Sequence, residues 1–138
     1  MKSSIRFSLC PKCNQPSQQI HSKYHRHLAD LPSAGLEVTL HLQVRKFFCI
    51  NQTCPQKIFS ERLGPVAAAY ARRTTRLLEV LTKLGLQLGG EAAARAARTL
   101  AISTGADTVL RLVASQVIEP PKAKIIGVDD FACALRHG

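Results

Sequence analysis

Two short cysteine turns constrain this chain more than any other feature: Cys10-Pro11-Lys12-Cys13 and Cys49-Ile50-Asn51-Gln52-Thr53-Cys54-Pro55. Each turn can aim two thiolates at one point, and a hairpin-length spacer between them brings all four to one tetrahedral zinc ion. A four-cysteine site has no open position, so the zinc is structural. It would supply much of the folding free energy of so small a module. Two disulfides are the competing use of the same spacing. Arg6 and Ser8 interrupt Ile5, Phe7 and Leu9, so no signal peptide is expected before the first turn. A reducing compartment favours metal. His21, His25 and His27 are further donors in principle, but His21 follows Cys13 too closely for the usual finger spacing, and solvated or phosphate-contacting roles suit them better. Cys133 is left over near the end of the chain and is not expected to ligate.

Between the cysteine turns the residues alternate. Leu36, Val38, Leu40, Leu42, Val44 and Phe48 fall on one face, with Lys46 the one polar residue among them. Glu37, Thr39, His41, Gln43 and Arg45 fall on the other. Period two over such a length predicts a half-buried strand over 36–48. Leu31-Pro32-Ser33-Ala34-Gly35 is expected to turn, and Tyr24–Asp30 to form the partner strand. Arg45-Lys46 beside Phe47-Phe48 puts two cations before the second cysteine turn, where they could meet a phosphate backbone.

The sequence then turns helical. Pro65 suits a first helical position and opens an Ala-rich stretch, Val66–Ala71. Leu77, Val80, Leu81, Leu84 and Leu88 recur at helical spacing until Gly89-Gly90. Glu91–Leu100 predicts a second helix, with Ala92, Ala93, Ala96 and Ala97 small enough for close packing and Arg95 and Arg98 on its other side. After the turn Ala101-Ile102-Ser103, Thr104 and Asp107 fit a capping box opening a third helix to about Val117. Two short helices joined by a tight turn, behind a supporting helix, have the layout of a helix-turn-helix, although ordinary three-helix bundles share the pattern. On the third helix Val109, Leu110, Val113 and Val117 can face a core, while Thr108, Arg111 and Ser115 form a polar stripe suited to phosphates or base edges.

Charge supports that reading. The net charge is +10, and the excess is heaviest in residues 1–60, which hold 8 Lys and Arg against 2 acids. A basic surface of this kind favours polyanions, with nucleic acid ahead of an anionic membrane. No apolar run approaches the roughly 20 residues that cross a bilayer. After Pro120-Pro121, the run Lys124-Ile-Ile-Gly-Val-Asp129-Asp130 predicts a strand ending in two carboxylates.

The order of these pieces resembles the N-terminal part of transposases of the ISL-three family of bacterial insertion sequences. The resemblance runs through Cys10-Pro-Lys-Cys13, Asp30-Leu31-Pro32, Arg45-Lys46-Phe47-Phe48-Cys49, Cys54-Pro55 and Ile58-Phe59-Ser60-Glu61-Arg62-Leu63. It continues through Ala71-Arg72-Arg73-Thr74, Leu88-Gly89-Gly90, Asp107-Thr108-Val109-Leu110-Arg111 and Ile126-Gly127-Val128-Asp129-Asp130-Phe131-Ala132, and so covers essentially the whole chain. It implies a zinc ribbon, a helix-turn-helix for the element's terminal repeats, and the start of a ribonuclease-H-like DDE catalytic domain. Asp129 matches the first catalytic acid; Asp130 falls where the family varies. Magnesium or manganese would serve only a full-length relative, because two-metal catalysis needs several carboxylates to hold ions about 4 Å apart.

The expectation is therefore an α+β protein with three parts: a zinc ribbon over 1–60, a helix-turn-helix domain over 61–119, and a linker and orphan strand over 120–138. It would bind double-stranded DNA, possible homodimer included, without catalysing strand transfer as it stands, and without a membrane or a small-molecule substrate. It would act in the bacterial cytoplasm, associated with the nucleoid. The other readings are a fragment of an active enzyme, a stand-alone zinc-stabilised DNA-binding regulator, and a protein-interaction module.

Overall fold

The structure, a computed structural model, describes residues 6–116. The expected linker and strand after Pro120, and with them Asp129, Asp130 and Cys133, lie outside the described residues, as does Val117. The architecture is α+β. A two-stranded ribbon, β1 (Ser8–Leu9) with β2 (Pro16–Ser17), carries the first cysteine turn. A three-stranded antiparallel sheet follows in the order β3 (Ile20–Ser33), β4 (Leu36–Phe48), β5 (Ile58–Ser60). Three helices complete it: α1 (Thr75–Leu88), α2 (Gly90–Thr99) and α3 (Ala106–Ala114).

The β3–β4 hairpin is the beam of the molecule. Its partner strand is longer than the expected Tyr24–Asp30, because Leu31, Pro32 and Ser33 continue it instead of turning. The turn shrinks to Ala34-Gly35, both at positive φ (50° and 74°), the sign pattern of a two-residue type I′ connection. The even-numbered face is buried toward the middle of the beam, where Leu28, Leu42 and Val44 close over Ala67. Near the cysteines burial changes faces. Phe47 is fully buried with Cys10, Cys54 and Phe59, whereas Phe48, expected on the apolar face, is exposed. The strand thus serves two clusters on opposite sides, and one alternating pattern cannot describe both. A register irregularity between Ile20 and Ser22 marks the same end of the hairpin.

The expected helix over Val66–Ala71 does not form. Gly64 (φ 56°) and Tyr70 (φ 60°) lie in the left-handed region, and Ala67 is the side chain that plugs the hairpin core. Burial of one alanine outweighs the weak helical preference of a six-residue stretch. The helix begins instead at Thr75, where the Thr74 hydroxyl caps it by accepting from the Leu77 amide at 3.3 Å.

The hairpin and helices are fastened by a buried carboxylate. Asp30 accepts from the Thr74 hydroxyl at 2.7 Å and from Nε of Arg76 at 2.6 Å, with the Nη2 of Arg76 on its second oxygen. Main-chain bonds run beside this pair, from the Ala29 amide to the Arg72 carbonyl and from the Thr74 amide to the Ala29 carbonyl, each 3.0 Å. Leu31, next along β3, packs on the helical core of Leu77, Leu81, Ala97 and Ile102.

Within the helical part, α1 passes to α2 through Gly89, whose φ of 74° suits glycine. The end of α2 is a Schellman motif, with the Ile102 amide on the Ala97 carbonyl (2.9 Å) and the Ala101 amide on that of Arg98 (3.0 Å). Ala101 takes the left-handed position, and Ile102 is thereby buried. The predicted capping box is not made: Gly105 caps α3, with no side-chain cap bond, and the buried Thr104 hydroxyl has no partner among the described residues. On α3, Val109 is buried and Leu112 packs on the core, whereas Leu110, expected inside, is exposed.

Two predictions follow from these joints. A Cβ at Gly85 of α1 would lie 2.5 Å from Cγ1 of Val109 and 2.7 Å from Cγ2 of Val113, both on stiff β-branched side chains. Overpacking of about 1–3 kcal/mol outweighs the roughly 1 kcal/mol of helix propensity gained. Gly85→Ala therefore lowers stability by up to about 2 kcal/mol in denaturant titration. Gly90→Ala meets only the exposed Leu110, which can swing aside, and is tolerated. The second concerns acid. The Arg76 guanidinium, helped by the Thr74 hydroxyl and the Leu31 amide, overcomes the burial of Asp30 and holds its carboxyl well below the ordinary range. Its contribution to stability is therefore complete above the unfolded value of about 3.9 and is lost as pH falls from there toward the folded value. Asp30→Asn lowers the melting temperature at neutral pH by several degrees, and the gap to the parent begins to close only as pH falls below about 4.

Candidate metal centre and nucleic-acid interface

The first cysteine turn is closed by its own backbone. The Asn14 amide donates to the Cys10 carbonyl at 2.8 Å and the Cys10 amide to the Gln15 carbonyl at 2.9 Å, with Asn14 at φ 55°. In the second turn the Cys54 amide donates to the Asn51 carbonyl at 3.1 Å, while the Asn51 side chain accepts from the amide (3.0 Å) and hydroxyl (2.7 Å) of Thr53. The Cys49 amide is held by the Lys57 carbonyl at 2.7 Å. Phe47 and Phe59, stacked with centroids 6.0 Å apart, pack beneath.

These turns bring the four sulfurs within 4.8 Å of one another, with Cys10–Cys54 at 3.9 Å and Cys13–Cys49 at 3.5 Å. A tetrahedral zinc with bonds of about 2.3 Å sets sulfur–sulfur edges of roughly 3.8 Å. All four cysteines are free thiols, so the cluster is not a disulfide pair. Burial opposes ionisation of Cys10, but the Lys12 and Cys13 amides and the neighbouring thiols outweigh it and bring its pKa to about 7. Burial, with the surrounding thiols, pushes Cys49 up to about 12. Four thiolates so close together need a cation. The geometry and the donor set both fit zinc. The described histidines are not part of the cluster: His21 packs edge-on to Phe48 (4.8 Å), His25 is exposed on β3, and His27 and His41 pair across the hairpin (4.4 Å).

The expected nucleic-acid contacts divide. The Arg45 guanidinium is engaged by Glu61, with Nη2–Oε2 at 2.6 Å and Nε–Oε2 at 3.1 Å, and lies 5.2 Å from the Phe47 ring centroid. Lys46 points to the other face, its ammonium 5.4 Å from the Tyr24 ring centroid. On α2, Arg95 and Arg98 are exposed and reach Glu91 at only 3.5 and 3.9 Å, surface pairs that a phosphate can displace. On α3 the exposed stripe is Asp107, Arg111 and Ser115, whereas Thr108 is half-buried. Ser115 turns its hydroxyl onto the Leu112 carbonyl at 2.7 Å.

A furrow of about 730 Å³ that the sequence did not reveal runs between the even face of the hairpin and the segment 60–72, lined by Tyr24, Arg26, Lys46, Arg62, Tyr70 and Arg72 among others. Its residues are scattered over half the chain, and only the folding of Ala67 into the hairpin gathers them. Among the described residues, no helix is long and apolar enough to cross a membrane.

Residues 6–55 match the family described as the zinc-finger of the transposases IS204/IS1001/IS1096/IS1165. The chain is also 29% identical over 143 residues to the transposase for insertion sequence element IS1001 of Bordetella parapertussis. That match takes in 99% of this chain and 33% of the relative, so the chain spans about a third of the length of the curated relative it matches. No solved structure matches significantly. Both matches agree with the resemblance carried by the motifs, the first over the cysteine ribbon and the second over nearly all of this chain and a third of the relative.

The metal centre makes a direct prediction. Elemental analysis of freshly purified protein should find one zinc per chain, with X-ray absorption giving four sulfur ligands near 2.3 Å. Cys10→Ser or Cys54→Ser, which removes a buried thiol, should abolish stoichiometric zinc and unfold the ribbon. A strong chelator should do the same to the parent. Zinc retained by a Cys10→Ser/Cys54→Ser double variant would place the ion elsewhere.

Proposed function

We propose that this chain, related to the N-terminal portion of ISL-three-family transposases, is a zinc-clamped DNA-binding module that recognises the terminal inverted repeats of its insertion sequence. Zinc held by Cys10, Cys13, Cys49 and Cys54 fixes the end of the hairpin. The hairpin, through Asp30, fixes the helices. In this reading α2 and α3 act as a helix-turn-helix, α3 entering the major groove.

One observation carries the reading. The exposed stripe of α3 presents Arg111 beside Asp107, a guanidinium for guanine and a carboxylate for a cytosine amino group, and the exposed Arg95 and Arg98 lie on the adjoining α2. Cations on the helix that crosses the backbone and base-reading types on the helix in the groove are the division such a motif needs. In a full-length relative, Asp129 would go on to serve the catalytic domain.

Fluorescence anisotropy with a terminal-repeat duplex and a scrambled duplex tests this. The repeat should bind more tightly, and both affinities should fall steeply with salt as condensed counterions are released. Arg111→Ala should cost about 1–3 kcal/mol on the repeat and narrow its margin over the scrambled duplex. Arg95→Ala and Arg98→Ala should weaken both duplexes alike and reduce the salt slope by about 1 each. Equal affinity for both duplexes that is indifferent to salt would favour a protein-interaction module, for which the exposed Leu86, Leu88, Leu100 and Leu110 would be the natural surface.

A further inference from the structure

The furrow beside the hairpin has a chemistry that the helix-turn-helix reading does not use. Arg26, Lys46, Arg62 and Arg72 all line it. None of the four is in an ion pair among the described residues, since Glu61, the acid in the lining, is taken by Arg45. Arg26 is anchored through the Ala71 carbonyl, a neutral partner that fixes its guanidinium without cancelling the charge. The Lys46 ammonium is steadied over Tyr24. The wall is held in place as well. Ala67 is buried in the hairpin core, the Thr75 amide bonds the Val66 carbonyl at 2.9 Å, and the Ala71 amide bonds that of Ala68 at 3.3 Å.

On this wall stands Tyr70, 93% exposed and at φ 60°. An aromatic ring left almost wholly uncovered among the described residues, on a backbone conformation an L-residue rarely adopts, costs stability without a packing contact to offset it there. What such a ring fits, next to cations that no carboxylate among the described residues pairs, is the face of a nucleobase. In a duplex the base faces are stacked on their neighbours and are not available to Tyr70.

We propose that this furrow is a second nucleic-acid site, separate from α3, which takes single-stranded DNA by pairing Arg26, Lys46, Arg62 and Arg72 with phosphates and stacking an unpaired base on Tyr70. It builds on the DNA-binding reading above but does not require α3 to be the duplex reader. A chain with both surfaces can hold a duplex end whose terminal bases have come apart, duplex on the helices and loose strand in the furrow.

The test uses the zinc-loaded full chain, a labelled single-stranded oligonucleotide of about ten nucleotides and a blunt duplex. Tyr70→Ala should weaken single-strand binding about 5- to 100-fold, the range of one base–aromatic stack, and leave duplex binding within about twofold. Arg111→Ala should do the reverse. Arg62→Ala with Arg72→Ala should weaken the single strand and flatten its salt dependence. Tyr70→Phe should keep the affinity. Because its backbone suits glycine, Tyr70→Gly should melt no lower than the parent yet lose the single strand, which separates lost binding from lost fold. The chain has no tryptophan and two tyrosines, so its fluorescence reports on Tyr24 and Tyr70. Single-strand binding should quench it in Tyr24→Phe and not in Tyr70→Phe. Single-strand affinity unmoved by Tyr70→Ala, or single-strand binding lost with Arg111→Ala to the same degree as duplex binding, would overturn the proposal. Duplex binding that fails while Tyr70-dependent single-strand binding persists would sink the α3 reading and leave the furrow standing.

Discussion

The joint at Asp30 decides whether this chain is one body or two. Its carboxylate is buried among atoms that come from 44 and 46 residues downstream, the Thr74 hydroxyl and the Arg76 guanidinium. A buried carboxylate without such donors would be costly, so the fold is committed to bringing the start of α1 against the far end of the hairpin. Thr74 serves both sides of the joint: its hydroxyl donates to Asp30 and accepts from the Leu77 amide, so the cap of the helix and the latch of the hairpin are one group. Leu31 then follows into the helical core, and the β3–β4 beam ends in the bundle rather than in solvent.

At the opposite end of the same beam lies the cysteine cluster. The aromatic support there is little more than Phe47 and Phe59, too little apolar surface to hold two cysteine turns together unaided. A metal at the four sulfurs therefore does for the near end what Asp30 does for the far end. The hairpin is held at both tips by electrostatics and in the middle by Leu28, Leu42, Val44 and Ala67. This arrangement explains why β4 buries opposite faces along its length, since one face serves the middle and the other serves the metal end.

The parts legible in the sequence are those specified locally. The cysteine turns carry their own spacing, the strand over 36–48 carries its alternation, and α1 carries its leucine period, so each could be read without knowing what it touches. What escaped was set by distant partners. Nothing near Asp30 announces Arg76. The alanines of 66–71 suggest a helix until the hairpin's need for Ala67 is known. Phe47 and Phe48 are indistinguishable until the cysteine turns choose a face. Thr104 and Asp107 have the capping-box spacing, yet the Schellman turn through Ala101 and Ile102 delivers the chain one residue later, so that Gly105 takes the cap. On the candidate site, the ligand cysteines were legible and the furrow was not, because its cations come from three separate segments.

The distribution of charge shows why those cations remain available. Asp30 and Glu61 are both buried, and both are used on arginines that build the frame, Arg76 and Arg45. Glu91 faces Arg95 and Arg98 at distances a phosphate can contest. Asp30 and Glu61 thus neutralise the architectural arginines, and the cations that line the furrow are in no ion pair among the described residues. A merely soluble basic protein would scatter its cations over the surface. Here four of them gather in the furrow beside an exposed aromatic ring, and Arg111 stands apart on α3 in a mixed stripe with Asp107. Each place carries something further that a polyanion alone would not need. A phosphate backbone is answered by the charge; the ring and the stripe answer bases, in the two states, stacked and unstacked, in which DNA presents them.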